Sequence, residues 1–367
     1  MSDAAPIPGG PADVTAAWLS AALSAAGQRV VVDGVEVAAV GTGQTGATYR
    51  IAASYGTDPG GLPDTFVIKL PVADDAVRGG VTLGYRSEVA FYARVAGRMA
   101  VPTPRCFYWN IGNDGAEFAL LLEDMSPAVQ GDQIVGSSAE QARLAATALA
   151  GLHGPSWCDP QWLNLSEVAM PMPGNRESVN GLGDVARMAV DMTLETLGTR
   201  IDAVDRETAT TAMNLVTPWL MAEPSRYSLM HGDYRLDNLL FDLDRTRVTV
   251  VDWQTMGVGL PARDLSYFTA TSLLPELRVA IEEQVVDDYH RALLGHGVTN
   301  YDRDTCWRDY RLGMLQAPLI TTLGCAFASP TERGTEMIAV MLQRGCRAIR
   351  ELRTLELIDQ ITPHGAS

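Results

Sequence analysis

Lysine is almost absent from this chain. Of its 28 basic residues 27 are arginine, and Lys69 is the single lysine in 367 residues. Arginine therefore serves wherever a solvated positive charge suffices. A position that keeps lysine is one where a compact ammonium on a thin stem does what a wide planar fork cannot. Lys69 lies in Thr65-Phe66-Val67-Ile68-Lys69-Leu70, a β-branched, apolar run that reads as a buried strand. A lysine on such a strand needs an anionic partner or ligand.

Other scarcities narrow the function. The five cysteines, Cys106, Cys158, Cys306, Cys325 and Cys346, are odd in number and widely spaced, with no C-x-x-C pair. That pattern fits free thiols in a reducing compartment and supplies no zinc site. The five histidines show no metal-ligand spacing either. No run of 18 apolar residues occurs, so no membrane-spanning helix is expected. Met1 to Pro11 lacks the basic and apolar regions of a signal peptide, and a cytoplasmic protein is expected. Positive charge is also in deficit, with a net charge of -16 and a pI of about 4.7. That argues against a nucleic-acid partner, whose phosphates need a basic face.

What is present organises into two parts. Residues 1–12 read as a flexible lead. Asp13 to Ala26 has helical periodicity, and strand signals then dominate to Leu70. A helix over Tyr85–Met99 and two strands around a Gly112-Asn113-Asp114-Gly115 turn follow. From Ser137 the pattern is mostly helical; Ser137 and Glu140 form a capping-box spacing, and Met170–Asp184 reads as a long loop. The expected architecture is α+β: a β-rich nucleotide-binding lobe over 1–124 and a helical lobe over 125–367 that carries the catalytic loop and the acceptor site.

Gly41-Thr42-Gly43-Gln44-Thr45-Gly46 matches G-x-G-x-x-G. In a dinucleotide-binding unit the third glycine opens a helix. Here Ala47-Thr48-Tyr49-Arg50-Ile51-Ala52 alternates like a strand. Strand, glycine turn, strand is the arrangement of a loop folded over nucleotide phosphates in kinases.

The second block is His231-Gly232-Asp233-Tyr234-Arg235-Leu236-Asp237-Asn238, followed by Asp252-Trp253-Gln254. Asp233 and Asn238 keep the interval between aspartate and asparagine of the kinase catalytic loop, and Asp252 ends the next strand. Phosphoryl transfer needs positioned charge more than covalent help. Asp233 suits the base that takes a hydroxyl proton. Asn238 and Asp252 offer the hard oxygens that magnesium prefers. Lys69 suits the phosphates of ATP, with Glu88 as the carboxylate that orients it. Arg235, beside Asp233, suits charge on the transferred group, or a salt bridge to Asp237.

These motifs resemble those of the aminoglycoside phosphotransferase and choline kinase superfamily, from about Val35 to Phe268. Val67-Ile68-Lys69-Leu70-Pro71, Glu88-Val89-Ala90-Phe91-Tyr92, Leu120-Leu121-Leu122-Glu123-Asp124-Met125 and Asp264-Leu265-Ser266-Tyr267-Phe268 look closest to its ecdysteroid kinase-like branch. The resemblance implies a bilobal, protein-kinase-like fold that uses ATP and Mg2+ to phosphorylate a small-molecule hydroxyl. It also implies an adenine hinge at Glu123 and Met125, through backbone groups, and a bracing role for Asp264. Arginine stands at 235 where antibiotic kinases often carry a second histidine. No A-P-E segment follows Asp252-Trp253-Gln254, which argues against protein substrates. A scaffold that binds nucleotide without turnover is the alternative reading.

Overall fold

A computed structural model describes residues 5–40, 47–327 and 331–361. The chain forms two compact units. The first comprises Met1–Gly97, Thr103–Pro127 and Asp252–Gln254; the second comprises Arg98–Pro102, Ala128–Val251 and Thr255–Ser367.

The first unit contains α1 (Ala16–Ala25), β1 (Val32–Ala39), β2 (Ala47–Tyr55), β3 (Thr65–Leu70), α2 (Asp75–Ala90), β4 (Cys106–Gly112) and β5 (Glu117–Glu123). The strands make one antiparallel sheet in the order β1-β2-β3-β5-β4. Alternation along β3 buries Phe66, Ile68 and Leu70 on one face, against a core that includes Trp18, Leu19 and Phe107. Successive side chains of a strand point to opposite faces, so Lys69 lies on the face away from that core, between Thr48 and Leu120 on the neighbouring strands. Because β2 follows residues 41–46 directly and the sheet is antiparallel, the dinucleotide-binding alternative fails.

Two expectations need correction here. The lead over 1–12 is anchored from Ala5 onward. Ala5 is buried and its carbonyl accepts from Tyr108 Oη at 2.7 Å, while Pro6 O accepts from Trp18 Nε1 at 2.7 Å. The large aromatic donors of α1 and β4 need buried acceptors, and this segment supplies them. The helix read over Tyr85–Met99 starts earlier, at Asp75, despite Gly79, Gly80 and Gly84, and continues into a π turn over Phe91–Val95.

The second unit contains β6 (Val129–Gln130), α3 (Ala139–His153), α4 (Arg176–Leu197), α5 (Ala203–Asn214), α6 (Val216–Leu220), β7 (Ser228–Met230), β8 (Leu239–Phe241), β9 (Val248–Val250) and β10 (Gly257–Gly259). Six further helices follow: α7 (Ala262–Ser272), α8 (Pro275–Gly295), α9 (Arg303–Leu312), α10 (Gln316–Phe327), α11 (Glu332–Glu351) and α12 (Thr354–Ile361). The N-cap of α3 is Ser138, paired with Gln141 in a capping box, one residue beyond the expected pair. Met170–Asp184 is only partly loop, because Asn175 Oδ1 accepts from Ser178 N and starts α4 at Arg176. Residues that break helices in mid-segment begin them at a cap. Among the described residues, no helix is long and apolar enough to cross a membrane.

Candidate active site

In the first unit the single lysine meets the expected helix carboxylate. Lys69 Nζ lies 2.6 Å from Glu88 Oε1 and 2.7 Å from Oε2, and 3.8 Å from Asp252 Oδ1. Burial by itself would pull the ammonium down; Asp252 and Glu88 outweigh that and hold it above its ordinary value. Glu88 is fully buried, and this desolvation pushes its carboxyl up against the opposing pull of Lys69.

The segment carrying Asp252 is fixed to the same helix. Trp253 stacks on Phe91 at 3.5 Å, and its carbonyl accepts from Ser87 Oγ at 3.2 Å. Trp253 N and Gln254 Nε2 both donate to Glu88, each at 3.4 Å. Asp252 itself has φ +67°, a left-handed conformation costly for a residue with a side chain, and its carboxylate remains 39% exposed. Glu123 closes β5, with its N–H donating to Arg105 O at 2.8 Å; Met125 follows beyond the strand. Gly41, Gly43 and Gly46 lie outside the described residues.

The second unit carries the loop between β7 and β8. Asp233 is held by three donors: Tyr267 Oη to Oδ1 at 2.7 Å, Asn238 Nδ2 to Oδ2 at 3.1 Å, and Arg235 Nε to Oδ2 at 3.1 Å. Asn238 Nδ2 also donates to Asp233 O at 2.8 Å, closing a ring across the loop. Arg235 extends Nη1 to Asp237 Oδ2 at 3.1 Å and touches Met337 Sδ at 3.0 Å. It thus makes the expected bridge to Asp237 and contacts Asp233 as well.

Beneath the loop, Asp264 accepts from the N–H groups of His231 at 2.6 Å and Gly232 at 3.0 Å. His153 Nε2 stands 3.3 Å from the same carboxylate, with its Nδ1 2.7 Å from Tyr289 Oη. The tautomer with its proton on Nε2 satisfies both contacts. His231 shapes the loop, with Nε2 on Val251 O at 3.0 Å and Nδ1 accepting from Asp233 N at 3.3 Å. Val251 N donates to Asn238 O at 3.0 Å, one residue before Asp252.

The loop needs glycine at 232. Its φ is +84°, and a Cβ there would sit 2.2 Å from Thr255 O. Gly232→Ala is expected to cost at least about 1–2 kcal/mol through the backbone alone and to displace Asp233. A melting temperature equal to that of the parent protein would refute this.

Tyr267 had no assigned role in the sequence reading. A signal was available, because Tyr267 follows Asp264 by three residues and so shares its face of α7. Burial and the neighbouring Asp233 raise the Tyr267 hydroxyl well above its usual range, so it stays a donor.

Comparison with known proteins gives the family and the fold. A family model described as "Phosphotransferase enzyme family" matches residues 40–303. A putative aminoglycoside phosphotransferase from Ralstonia eutropha JMP134 is similar in structure, with 18% identity, 86% of this chain and 93% of that chain covered, and a TM-score of 0.52. Plasmodium vivax ethanolamine kinase has 11% identity, covers 87% and 83%, and has a TM-score of 0.55. A microcompartment-associated aminopropanol kinase has 16% identity, covers 92% and 99%, and has a TM-score of 0.55. These share the fold. Over 63 residues the chain is 38% identical to human acyl-CoA dehydrogenase family member 11, which is 16% of this chain and 8% of that protein. The chain thus spans about 8% of the length of the curated relatives it matches. The α+β expectation of a β-rich first part and a helical second part is the fold observed, and the chain belongs to the phosphotransferase enzyme family.

Proposed function

We propose that the protein is an ATP- and magnesium-dependent kinase that phosphorylates a hydroxyl group of a small molecule, with Asp233 as the base. The observation that carries this reading is the placement of Asp233, whose carboxylate is fixed by Tyr267, Asn238 and Arg235 yet stays partly exposed. As the bond from the acceptor oxygen to the γ-phosphorus forms, the hydroxyl proton passes to Asp233. The bond from that phosphorus to the β–γ bridging oxygen breaks, and ADP leaves.

In the first unit, Lys69 would neutralise α- and β-phosphate charge, held straight by Glu88. The Gly41, Gly43 and Gly46 amides would cover the phosphates. The carbonyl of Glu123 and the backbone of Met125 would read the adenine edge, since the Glu123 N–H is already used. Arg235 would stabilise charge on the transferred group through Nη2, which makes no hydrogen bond among the described residues.

Magnesium fits the donors present. Among the described residues no three carboxylates, cysteines or histidines gather into a cage. Magnesium in phosphoryl-transfer sites uses one or two carboxylates together with phosphate oxygens. Asp252, with its exposed carboxylate, and the amide oxygen of Asn238 would hold it. When bound, the metal neutralises charge on the β- and γ-phosphates.

A coupled ADP-release assay over aminoglycosides, amino alcohols, sterols, sugars and hydroxyacyl compounds tests the proposal. Turnover with one acceptor that disappears in Asp233→Asn supports it. Magnesium-dependent ATP binding with no acceptor found would favour the non-turnover scaffold. A second test isolates the lysine: Lys69→Arg keeps the charge but carries a wider fork, and is expected to lower kcat/KM by about 100-fold. Parental activity in that variant would end the account of why this lysine is kept.

A further inference from the structure

One cleft in the second unit reverses the acidic balance of the chain. It has a volume of about 550 Å³. Glu140, Arg143 and Leu144 of α3 form one wall, and Asp288 and Arg291 of α8 form another. Arg245, in the turn between β8 and β9, adds a third. Three arginines meet two carboxylates here, whereas the whole chain has 28 basic and 44 acidic residues.

The buried carboxylate of the cleft is already satisfied. Asp288 Oδ2 accepts from Arg143 Nε, and Oδ1 accepts from Arg291 Nη1 at 2.9 Å and Gln284 Nε2 at 3.0 Å. Burial pushes its carboxyl up, but Arg143, Arg291 and Gln284 outweigh that and hold it below its ordinary value. Asp288 therefore stays an anion, and the two guanidiniums that it fixes side by side more than match its charge. Each of them spends one N–H group on it. Among the described residues, neither Nη atom of Arg143 donates, nor do Nε and Nη2 of Arg291. The Arg245 guanidinium makes no hydrogen bond or ion pair there. All three arginines are exposed, so these donors face solvent.

Guanidinium forks match the paired oxygens of a phosphate. The cleft is far larger than one phosphate, and its volume lies within the usual range for small-molecule sites, about 300–1,000 Å³. Leu144, Ala292 and the arginine stems supply apolar surface to the same space. An organic body attached to the phosphate would cover that surface. The net charge of -16 disfavours an extended polyanion such as a nucleic acid.

We propose that this cleft binds a small phosphate monoester, with its phosphate on Arg143, Arg245 and Arg291 and its organic body against Leu144 and Ala292. Asp233, Arg235, Asn238 and Asp264 are not among the lining residues, so the site is additional to that of the catalytic loop. Glu140 is exposed in the first turn of α3 and is the carboxylate that opposes the ligand.

The test uses the full chain, with phenyl phosphate as the probe and inorganic phosphate as the comparison. ³¹P line broadening at constant ionic strength reads binding directly. Saturable binding of phenyl phosphate, tighter than that of inorganic phosphate, is expected. Affinity should be about tenfold weaker in Arg245→Gln and in Arg291→Gln, and tighter in Glu140→Gln. Both arginine variants keep the bond from Arg143 to Asp288, and an unchanged melting temperature without ligand confirms that each is folded. Equal affinity for the two phosphates overturns the organic body. Binding that is unchanged in both arginine variants places the probe elsewhere and overturns the site, as does a wild-type chain with no saturable binding.

Discussion

Asp233→Asn is expected to lower kcat by about 10²–10⁴-fold, the range for loss of a positioned base, while ATP affinity changes little. The substitution keeps the shape of the side chain. It removes the acceptor that takes the hydroxyl proton and leaves Tyr267, Asn238 and Arg235 facing an amide. Nucleotide affinity survives because the proposed phosphate contacts come from Lys69, which makes no bond to Asp233 among the described residues, and from the glycine segment. Single-turnover rates with equilibrium ATP binding measure the two effects separately. A variant that loses ATP affinity and turnover together would mean that Asp233 holds the nucleotide or the loop rather than the proton.

Glu88→Ala has the largest expected effect on stability. Glu88 is fully buried and makes two short contacts to Lys69. Removing it leaves a mostly buried ammonium whose one remaining ion pair among the described residues is Asp252, 3.8 Å away and itself 39% exposed. Breaking a buried pair from one side costs about 3–5 kcal/mol, whereas replacing both partners with apolar groups can be nearly neutral. The double variant Glu88→Ala, Lys69→Met is therefore expected to recover most of that loss without recovering activity. Urea unfolding of both variants measures this. A single variant within about 1 kcal/mol of the parent protein, the value of a solvated pair, would show that water reaches the site.

The parts legible in the sequence were those with a fixed local rule. The apolar, β-branched run over Thr65–Leu70 marked a buried strand, and one lysine among arginines marked its own position. The five-residue interval of Asp233 and Asn238 survives as a ring of hydrogen bonds. The parts that were not legible depend on partners distant in sequence. The spacing from Asp264 marks a shared helix face for Tyr267, but not the carboxylate 34 residues earlier that its hydroxyl meets. Nothing around Arg263 says that its main acceptor is Gln316, 53 residues later. Boundaries failed for a different reason. Ser137 and Ser138 are equally good caps on paper, and only the direction in which the chain enters α3 selects the second. Asn175 looked like loop chemistry until its side chain closed on Ser178.

The stack of Trp253 on Phe91 has a consequence for movement. Asp252 is followed by a buried indole clamped to the helix that presents Glu88, with Ser87 and Glu88 bonding the same segment. Aspartate, lysine and glutamate therefore keep their register as one block, and rotating Asp252 away would expose a large aromatic ring to water. The stack thus sets a cost on moving Asp252 alone: Trp253, now fully buried, would have to leave Phe91 with it.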